Sequence, residues 1–164
     1  MAALLSGTVA PEFSLKGVDG KSVSLAETLK NGPALVAFFK VSCPTCQFAL
    51  PFIQRLHEAY GGANVAFLAV SQDAAADTRE FMAEFGLKLP VLLDNDGYVA
   101  SKSYGLTNVP SLFWIDSDGR VQISSVGFSK ADLEKVSAEA ARAAGKPVKS
   151  IFRLGERIPE FKAG

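Results

Sequence analysis

The chain has 164 residues, 48% of them hydrophobic and 21% charged, and its 17 basic and 17 acidic side chains cancel. This length and balance fit one globular domain with a substantial core, and they offer no basic surface for nucleic acid or for an anionic membrane. We therefore expect proteins or small molecules as partners, with no nucleic acid and no membrane among them.

The amino-terminal residues predict the compartment. Residues 1–6 lack both the charged region and the apolar length of a secretory signal. No stretch of the chain approaches the ~18 continuous apolar residues of a membrane span. We therefore predict a cytoplasmic protein, or a periplasmic one if a leader was trimmed from the chain.

Hydrophobic patterning predicts strands that alternate with helices. Apolar residues alternate on both sides of residues 17–20, which is typical of a β-hairpin, and a continuous apolar run then indicates a buried central strand. In chain order, the predicted elements after this hairpin are strand 34–39, helix 46–60, strand 65–70, helix 73–85, strand 89–93, short helix 98–104, strands 109–115 and 121–126, and helix 129–144. The alternation predicts an α/β fold with a mixed sheet, whose antiparallel part comes from the last two strands.

The same patterning predicts the domain organisation. Residues 1–147 form one predicted domain, and residues 148–164 form a carboxy-terminal tail without clear periodicity. The tail either packs on the domain or is flexible. Its apolar residues Phe152, Ile158 and Phe161 either pack back on the domain or form a partner surface.

The two cysteines lie three positions apart, in the sequence Cys43-Pro44-Thr45-Cys46, after the predicted central strand and at the start of a predicted helix. A disulfide that encloses so little chain stabilises a fold little by loop closure, so the pair indicates chemistry. Helix N-termini stabilise a thiolate, the nucleophilic form of cysteine. Pro44 suits the first helical position, and the three-residue step places Cys46 one turn later on the same face.

This arrangement predicts thiol–disulfide exchange. Cys43 attacks a substrate disulfide to form a mixed disulfide, and Cys46 resolves it and releases the reduced substrate. The reverse reaction, oxidation of dithiols, stays open. Two other interpretations are a zinc half-site, for which two Cys and one His are too few ligands, and a pair of inert core cysteines. We predict no metal and no cofactor.

On these residues the chain resembles the thioredoxin superfamily, and more narrowly the redoxin branch of TlpA- and ResA-like thiol–disulfide oxidoreductases, which borders the AhpC/TSA peroxiredoxins. The resemblance covers about residues 8–145 and rests, besides the cysteine pair, on Ala-Pro-Glu-Phe-Ser-Leu at 10–15, Asp-Gly-Lys at 19–21, Phe38-Phe39, Pro51, and the blocks 105–113 and 115–121. It implies a thioredoxin-like fold, a central mixed sheet flanked by helices, with an N-terminal hairpin and a central insertion at residues 89–106. It also implies protein disulfide or dithiol substrates, an upstream thiol reductant, an antioxidant role, and a monomer or weak dimer.

The block 105–113 implies the rest of the site. In the family, the proline of this block is cis and faces the cysteine pair, and the residue before it offers backbone groups to an extended substrate. Carried over, this predicts cis-Pro110 and a substrate-contacting Val109. Together with Pro44 and Thr45 they form the predicted substrate-binding set.

The sequence also departs from the family pattern. Thioredoxin has a buried acid where this chain has Ala37, and the TlpA-like branch often has Glu where it has Ala49. The usual Trp before the first cysteine is Ser42. Neither familiar proton-handling carboxylate is therefore present. Lys40 is either a solvated lysine at a strand end or a cation that stabilises the nearby thiolate.

Two other functions compete with the dithiol reaction. A peroxiredoxin-like peroxide reductase would use Cys43 as the peroxidatic thiol, but that chemistry wants a hydroxyl at the position of Lys40 and an arginine near the sulfur. Arg55 and Arg79 have no clear claim to that role. The third interpretation is a non-enzymatic adaptor that binds a partner through its apolar tail.

Overall fold

A computed structural model describes residues 3–164. Residues 1 and 2, part of the segment from which the compartment is predicted, lie outside the described residues. The elements are β1 (Ser14–Lys16), β2 (Ser22–Ser24), α1 (Leu25–Leu29), β3 (Ala34–Phe39), α2 (Pro44–Tyr60), β4 (Ala66–Ser71), α3 (Ala75–Phe85), β5 (Val91–Leu93), α4 (Val99–Ser103), β6 (Ser111–Ile115), β7 (Val121–Val126), β8 (Phe128–Ser129), α5 (Lys130–Ala144) and β9 (Phe161–Lys162).

The central sheet has five strands in the order β5-β4-β3-β6-β7. β4 runs parallel to both β3 and β5, whereas β6 runs antiparallel to both β3 and β7. This arrangement confirms the predicted α/β class with a central mixed sheet. β1 and β2 pair antiparallel, which confirms the amino-terminal hairpin.

The central strand β3 separates two hydrophobic cores. All six of its residues are buried, and because side chains alternate along a strand, Leu35 and Phe39 enter one core while Val36 and Phe38 enter the other. Buried residues of α2, α3 and α5 belong to the first core, and those of α1 and α4 belong to the second. β3 therefore ends between two packed layers, and the short loop that carries Cys43 begins there.

Several boundaries differ from the predicted ones. Helix α2 begins at Pro44 rather than at residue 46, because Cys43 already caps it. Strand β6 begins only after Pro110, and helix α3 begins two residues later than predicted. Helix α1 was not predicted: it has only five residues, and Ser24 caps it by accepting a hydrogen bond from the Glu27 amide at 3.1 Å.

The tail (residues 148–164) follows α5 and lies against α2. Ile151 is buried, and its carbonyl oxygen accepts a hydrogen bond from the Arg55 guanidinium at 2.9 Å. Arg55 also forms a bidentate pair with Glu156, at 2.8 and 2.7 Å. Further on, β9 pairs antiparallel with β8, which brings the tail back to the cysteine-bearing end of the fold.

Between residues 3 and 164, no helix is both long and apolar enough to cross a membrane.

Candidate active site

Cys43 lies at the junction between the central strand and helix α2. It has extended backbone angles, φ −86° and ψ 114°, and its sulfur accepts a hydrogen bond from the Cys46 amide at 3.1 Å. This is the position of an N-cap, where a side-chain acceptor satisfies one of the free N–H groups of the first turn. Pro44 follows at the start of the helix, where its missing N–H leaves no bond unmade.

The two thiols differ in exposure. Cys43 is half-buried, whereas Cys46 is fully buried in the core beneath it. Burial raises the pKa of the Cys46 thiol, and the hydrogen bond with Cys43 raises it further. Only one thiol of the pair can therefore meet an incoming molecule directly.

The loop that precedes β6, the strand next to β3 in the sheet, faces Cys43. The Val109–Pro110 peptide bond is cis, as predicted. The Cys43 thiol donates to the Val109 carbonyl oxygen at 3.4 Å, although 66 positions separate the two residues. The Ser111 hydroxyl donates to the Asn108 carbonyl at 2.7 Å, and the Gly127 amide donates to the Pro110 carbonyl at 2.8 Å. These bonds hold the loop in place beside the sulfur.

Pro44 and Thr45, the residues between the cysteines, differ in their surroundings. Pro44 is exposed, whereas Thr45 is buried under the tail. The Thr45 hydroxyl donates to the Ala163 carbonyl at 2.6 Å. Of the predicted substrate-binding set, Val109 thus lies at the Cys43 sulfur, and Thr45 lies at a surface that the chain itself covers.

One acidic residue near the site was missed by sequence reasoning. Asp73 follows β4, and its carboxylate accepts a hydrogen bond from the Val41 amide at 2.8 Å. After burial and the Cys43 interactions, the Asp73 charge also contributes to the raised pKa of Cys46. The link becomes visible only through strand pairing: β3 and β4 are parallel, so a carboxylate just after β4 lies close to the loop that follows β3.

The structure also shows the surroundings of the two positions that lack an acid and of the three candidate cations. Ala37 and Ala49 are buried apolar residues, and Lys40 is exposed. Arg55 is engaged by the tail, and the Arg79 guanidinium donates to the Val18 carbonyl at 3.0 Å. Both arginines considered for peroxide chemistry are thus bonded away from Cys43.

Comparison with known proteins agrees with this geometry. The family model described as Redoxin matches residues 5–141. The thiol–disulfide oxidoreductase ResA of Bacillus anthracis is 30% identical over 122 residues, which are 74% of this chain and 69% of that protein. The ResA and YneN relatives are matched over 66% to 76% of their own length.

Two solved structures share the fold of this chain. A thiol:disulfide interchange protein of the thioredoxin family from Chlorobium tepidum is 29% identical, with a TM-score of 0.68 over 85% of this chain and 99% of that one. A secreted Mycobacterium tuberculosis disulfide oxidoreductase is 22% identical and shares the fold, with a TM-score of 0.64 over 79% of this chain and 95% of that one.

Fold and cysteine geometry together define a thioredoxin-like thiol–disulfide oxidoreductase. The chain belongs to the Redoxin family, and its relatives place it in the ResA-like branch.

Proposed function

We propose that the protein exchanges disulfides with polypeptide substrates, with Cys43 as the nucleophile and Cys46 as the resolving thiol. The asymmetry of the pair carries the proposal: Cys43 is half-buried at a helix N-terminus, and Cys46 is fully buried behind it. A nucleophile must meet the substrate, whereas a resolving thiol need only meet the nucleophile.

In the first step, the Cys43 thiolate attacks one sulfur of a substrate disulfide. A Cys43–substrate disulfide forms, the substrate S–S bond breaks, and the second substrate sulfur leaves as a thiolate that takes up a proton. The Cys46 amide already points at the Cys43 sulfur and stabilises its negative charge. Once the thiol proton has gone, Cys43 no longer donates to the Val109 carbonyl, which becomes available to the main chain of a substrate.

In the second step, Cys46 loses its thiol proton to solvent, and the resulting thiolate attacks the Cys43 sulfur. The internal Cys43–Cys46 disulfide forms, and the first substrate sulfur leaves as a thiolate, so the substrate has gained two electrons and the protein has lost two. The hydrogen bond and charge of Cys43 help to raise the pKa of Cys46, and both disappear once Cys43 is in a mixed disulfide. Cys46 therefore becomes easier to deprotonate at the stage where it must react.

If the protein reduces substrate disulfides, an upstream thiol reductant returns the two electrons to the cysteine pair. If the protein oxidises dithiols, an oxidant takes two electrons from the pair instead.

The proposed substrate contacts are Val109, Pro110, Pro44 and Thr45. The support is the position of the Val109 carbonyl beside the Cys43 sulfur and of Thr45 under an extended segment. Backbone contacts of this kind suit polypeptides of varied sequence.

The Cys46→Ala variant tests the assignment of roles. With the resolving thiol removed, Cys43 should accumulate a mixed disulfide with oxidised insulin, detected as an added mass that dithiothreitol removes. The matched Cys43→Ala variant should accumulate none. A stable adduct on Cys46 instead of Cys43 would reverse the assignment.

The same preparation separates the other two functions. Hydrogen peroxide turnover faster than insulin turnover would favour the peroxide reductase, which the engaged Arg55 and Arg79 do not support. A non-enzymatic adaptor would still bind its partner in the Cys43→Ser variant.

The compartment is part of the proposal. The fold occurs in a secreted disulfide oxidoreductase, which does not fit the cytoplasmic prediction and favours the periplasmic alternative. Fractionation of cells that express the untagged protein, followed by immunoblotting, distinguishes the two.

A further inference from the structure

The last five residues of the tail, 160–164, form the tail tip, which includes the short strand β9 and lies beside the active site. Lys162 pairs with Phe128, and Phe161 pairs with Ser129, in antiparallel register. The Lys130 amide donates to the Glu160 carbonyl at 3.0 Å. The tail tip therefore adds a strand to β8, the segment that follows the cis-proline hairpin β6–β7.

The end of the tail tip reaches both walls of the site. From the cysteine side, the Thr45 hydroxyl donates to the Ala163 carbonyl at 2.6 Å. From the cis-proline side, the side-chain Nδ2 of Asn108 donates to the Gly164 carbonyl oxygen at 3.5 Å. The tail tip thus bridges the start of α2 and the cis-proline loop, which flank Cys43.

Two glycines permit this close approach. A Cβ at Gly164 would overlap the Val109 carbonyl oxygen, which is the same oxygen that accepts from the Cys43 thiol. Gly127 has φ +79°, and a Cβ there would lie 2.6 Å from the Lys162 carbonyl. The tail tip consequently occupies the space in front of the Val109 carbonyl.

The tail tip is held weakly compared with the rest of the tail. Strand β9 has two residues, both exposed, and Phe161 keeps 58% of its surface accessible. The Lys162 ammonium lies over the Phe48 ring at 5.4 Å from the centroid, a contact of modest energy at an exposed site. By contrast, Ile151 is buried and Glu156 is paired with Arg55. The tail can therefore release its tip while its first part stays anchored.

We propose that the tail tip is an internal ligand of the groove beside Cys43, and that a polypeptide substrate binds as an extended strand in its place. This inference rests on the function proposed above. The groove fits a segment that pairs with β8, offers a main-chain carbonyl to Thr45, and carries a small residue opposite Val109. Small disulfides reach the half-buried Cys43 without these contacts, so displacement affects polypeptide substrates selectively.

Two variants test the proposal in the 164-residue chain: deletion of residues 160–164, and Gly164→Val, which makes the tail tip clash with Val109. The matched control is Leu154→Ser, in the same tail but at a fully exposed side chain. We measure kcat/KM for reduction of insulin, and of hydroxyethyl disulfide as the small substrate, with dithiothreitol as electron donor.

Both tail-tip variants should raise kcat/KM for insulin about fivefold, the equivalent of about 1 kcal/mol of competition from the tail tip. Hydroxyethyl disulfide turnover should change less than about twofold, and Leu154→Ser should leave both unchanged. Unchanged or lower insulin turnover in the two tail-tip variants, or an equal rise for both substrates, would overturn the inference. If the unmodified protein reduces neither substrate, the proposed function fails instead.

Discussion

The groove beside Cys43 and the tail tip that lies in it are built in different ways. On one side of this contact, the groove is formed by the start of α2 and the cis-proline loop, which adjoin strands β3 and β6, in which every residue is buried. On the other side, the tail tip is held by a two-residue exposed strand. The chain thus combines a rigid chemical centre with a covering segment held by a few surface contacts, and local stability differs accordingly. Variants on the two sides should therefore differ in both the kind and the size of their effects.

The largest effect should come from the rigid side. Cys43→Ser removes the thiolate, so we expect insulin reduction to fall by about 10³-fold or more, close to the uncatalysed rate of dithiothreitol. The assay is insulin turbidity at fixed dithiothreitol. Thr8→Ser, a conservative change at an exposed threonine away from the site, serves as control and should keep full activity. Retained activity in Cys43→Ser would show that the reaction does not pass through this sulfur.

The next effect concerns stability beneath the site. Ile53 is fully buried on α2 below the cysteines, and Ile53→Ala should lower the free energy of unfolding by about 2–5 kcal/mol, because it leaves a cavity. Leu154→Ala, on the exposed tail, should change it by less than about 0.5 kcal/mol. Urea denaturation followed by Trp114 fluorescence measures both. Similar losses in the two variants would remove the contrast between core and tail.

A smaller effect should come from Asp73. Burial is the main reason for the raised pKa of Cys46, followed by the Cys43 interactions, and the Asp73 charge adds to them. Asp73→Asn keeps an oxygen that can accept from the Val41 amide but removes the charge. The pH profile of mixed-disulfide resolution should therefore move to lower pH, with a rate gain of about twofold to fivefold at neutral pH. A shift to higher pH would indicate that Asp73 instead helps Cys46 by accepting its proton.

The smallest effect should be a pH dependence of the local stability of the tail. The hydrogen bond from Arg55 lowers the pKa of Glu156 to about 2 from an ordinary value near 4.5. Because the folded-state pKa is lowered, the pair contributes its stability above pH 4.5 and loses it as the pH falls toward 2. As the pH falls from 4.5 toward 2, hydrogen exchange of tail amides should accelerate relative to that of β3 amides. Glu156→Gln should abolish this dependence, and a dependence that persists in the variant would assign it to another group.

The sequence predicted the framework well because its signals are local. A continuous apolar run defined β3, and the spacing of Cys43 and Cys46 after it defined the thiol pair. The cis bond at Pro110 came from the family resemblance and is confirmed. Helix α1 was missed because five residues carry less than two turns of periodicity.

The tail could not be placed from sequence, because its contacts are distant along the chain. Thr45 and Ala163 are 118 positions apart, and the importance of Gly164 is visible only once it lies against Val109. The apolar residues of the tail left packing and partner binding equally open. Asp73 was missed for a similar reason, since its link to Cys46 depends on the pairing of β3 with β4.

A redox titration of the purified protein in glutathione and dithiothreitol buffers, with free thiols trapped by alkylation and counted by mass, tests whether Cys43 and Cys46 form one redox couple. We expect one reversible two-electron transition that converts Cys43 and Cys46 together. A midpoint near about −270 mV would identify a reductant, and one near about −120 mV an oxidant. A pair that never closes, or over-oxidation of Cys43 alone, would contradict the dithiol mechanism.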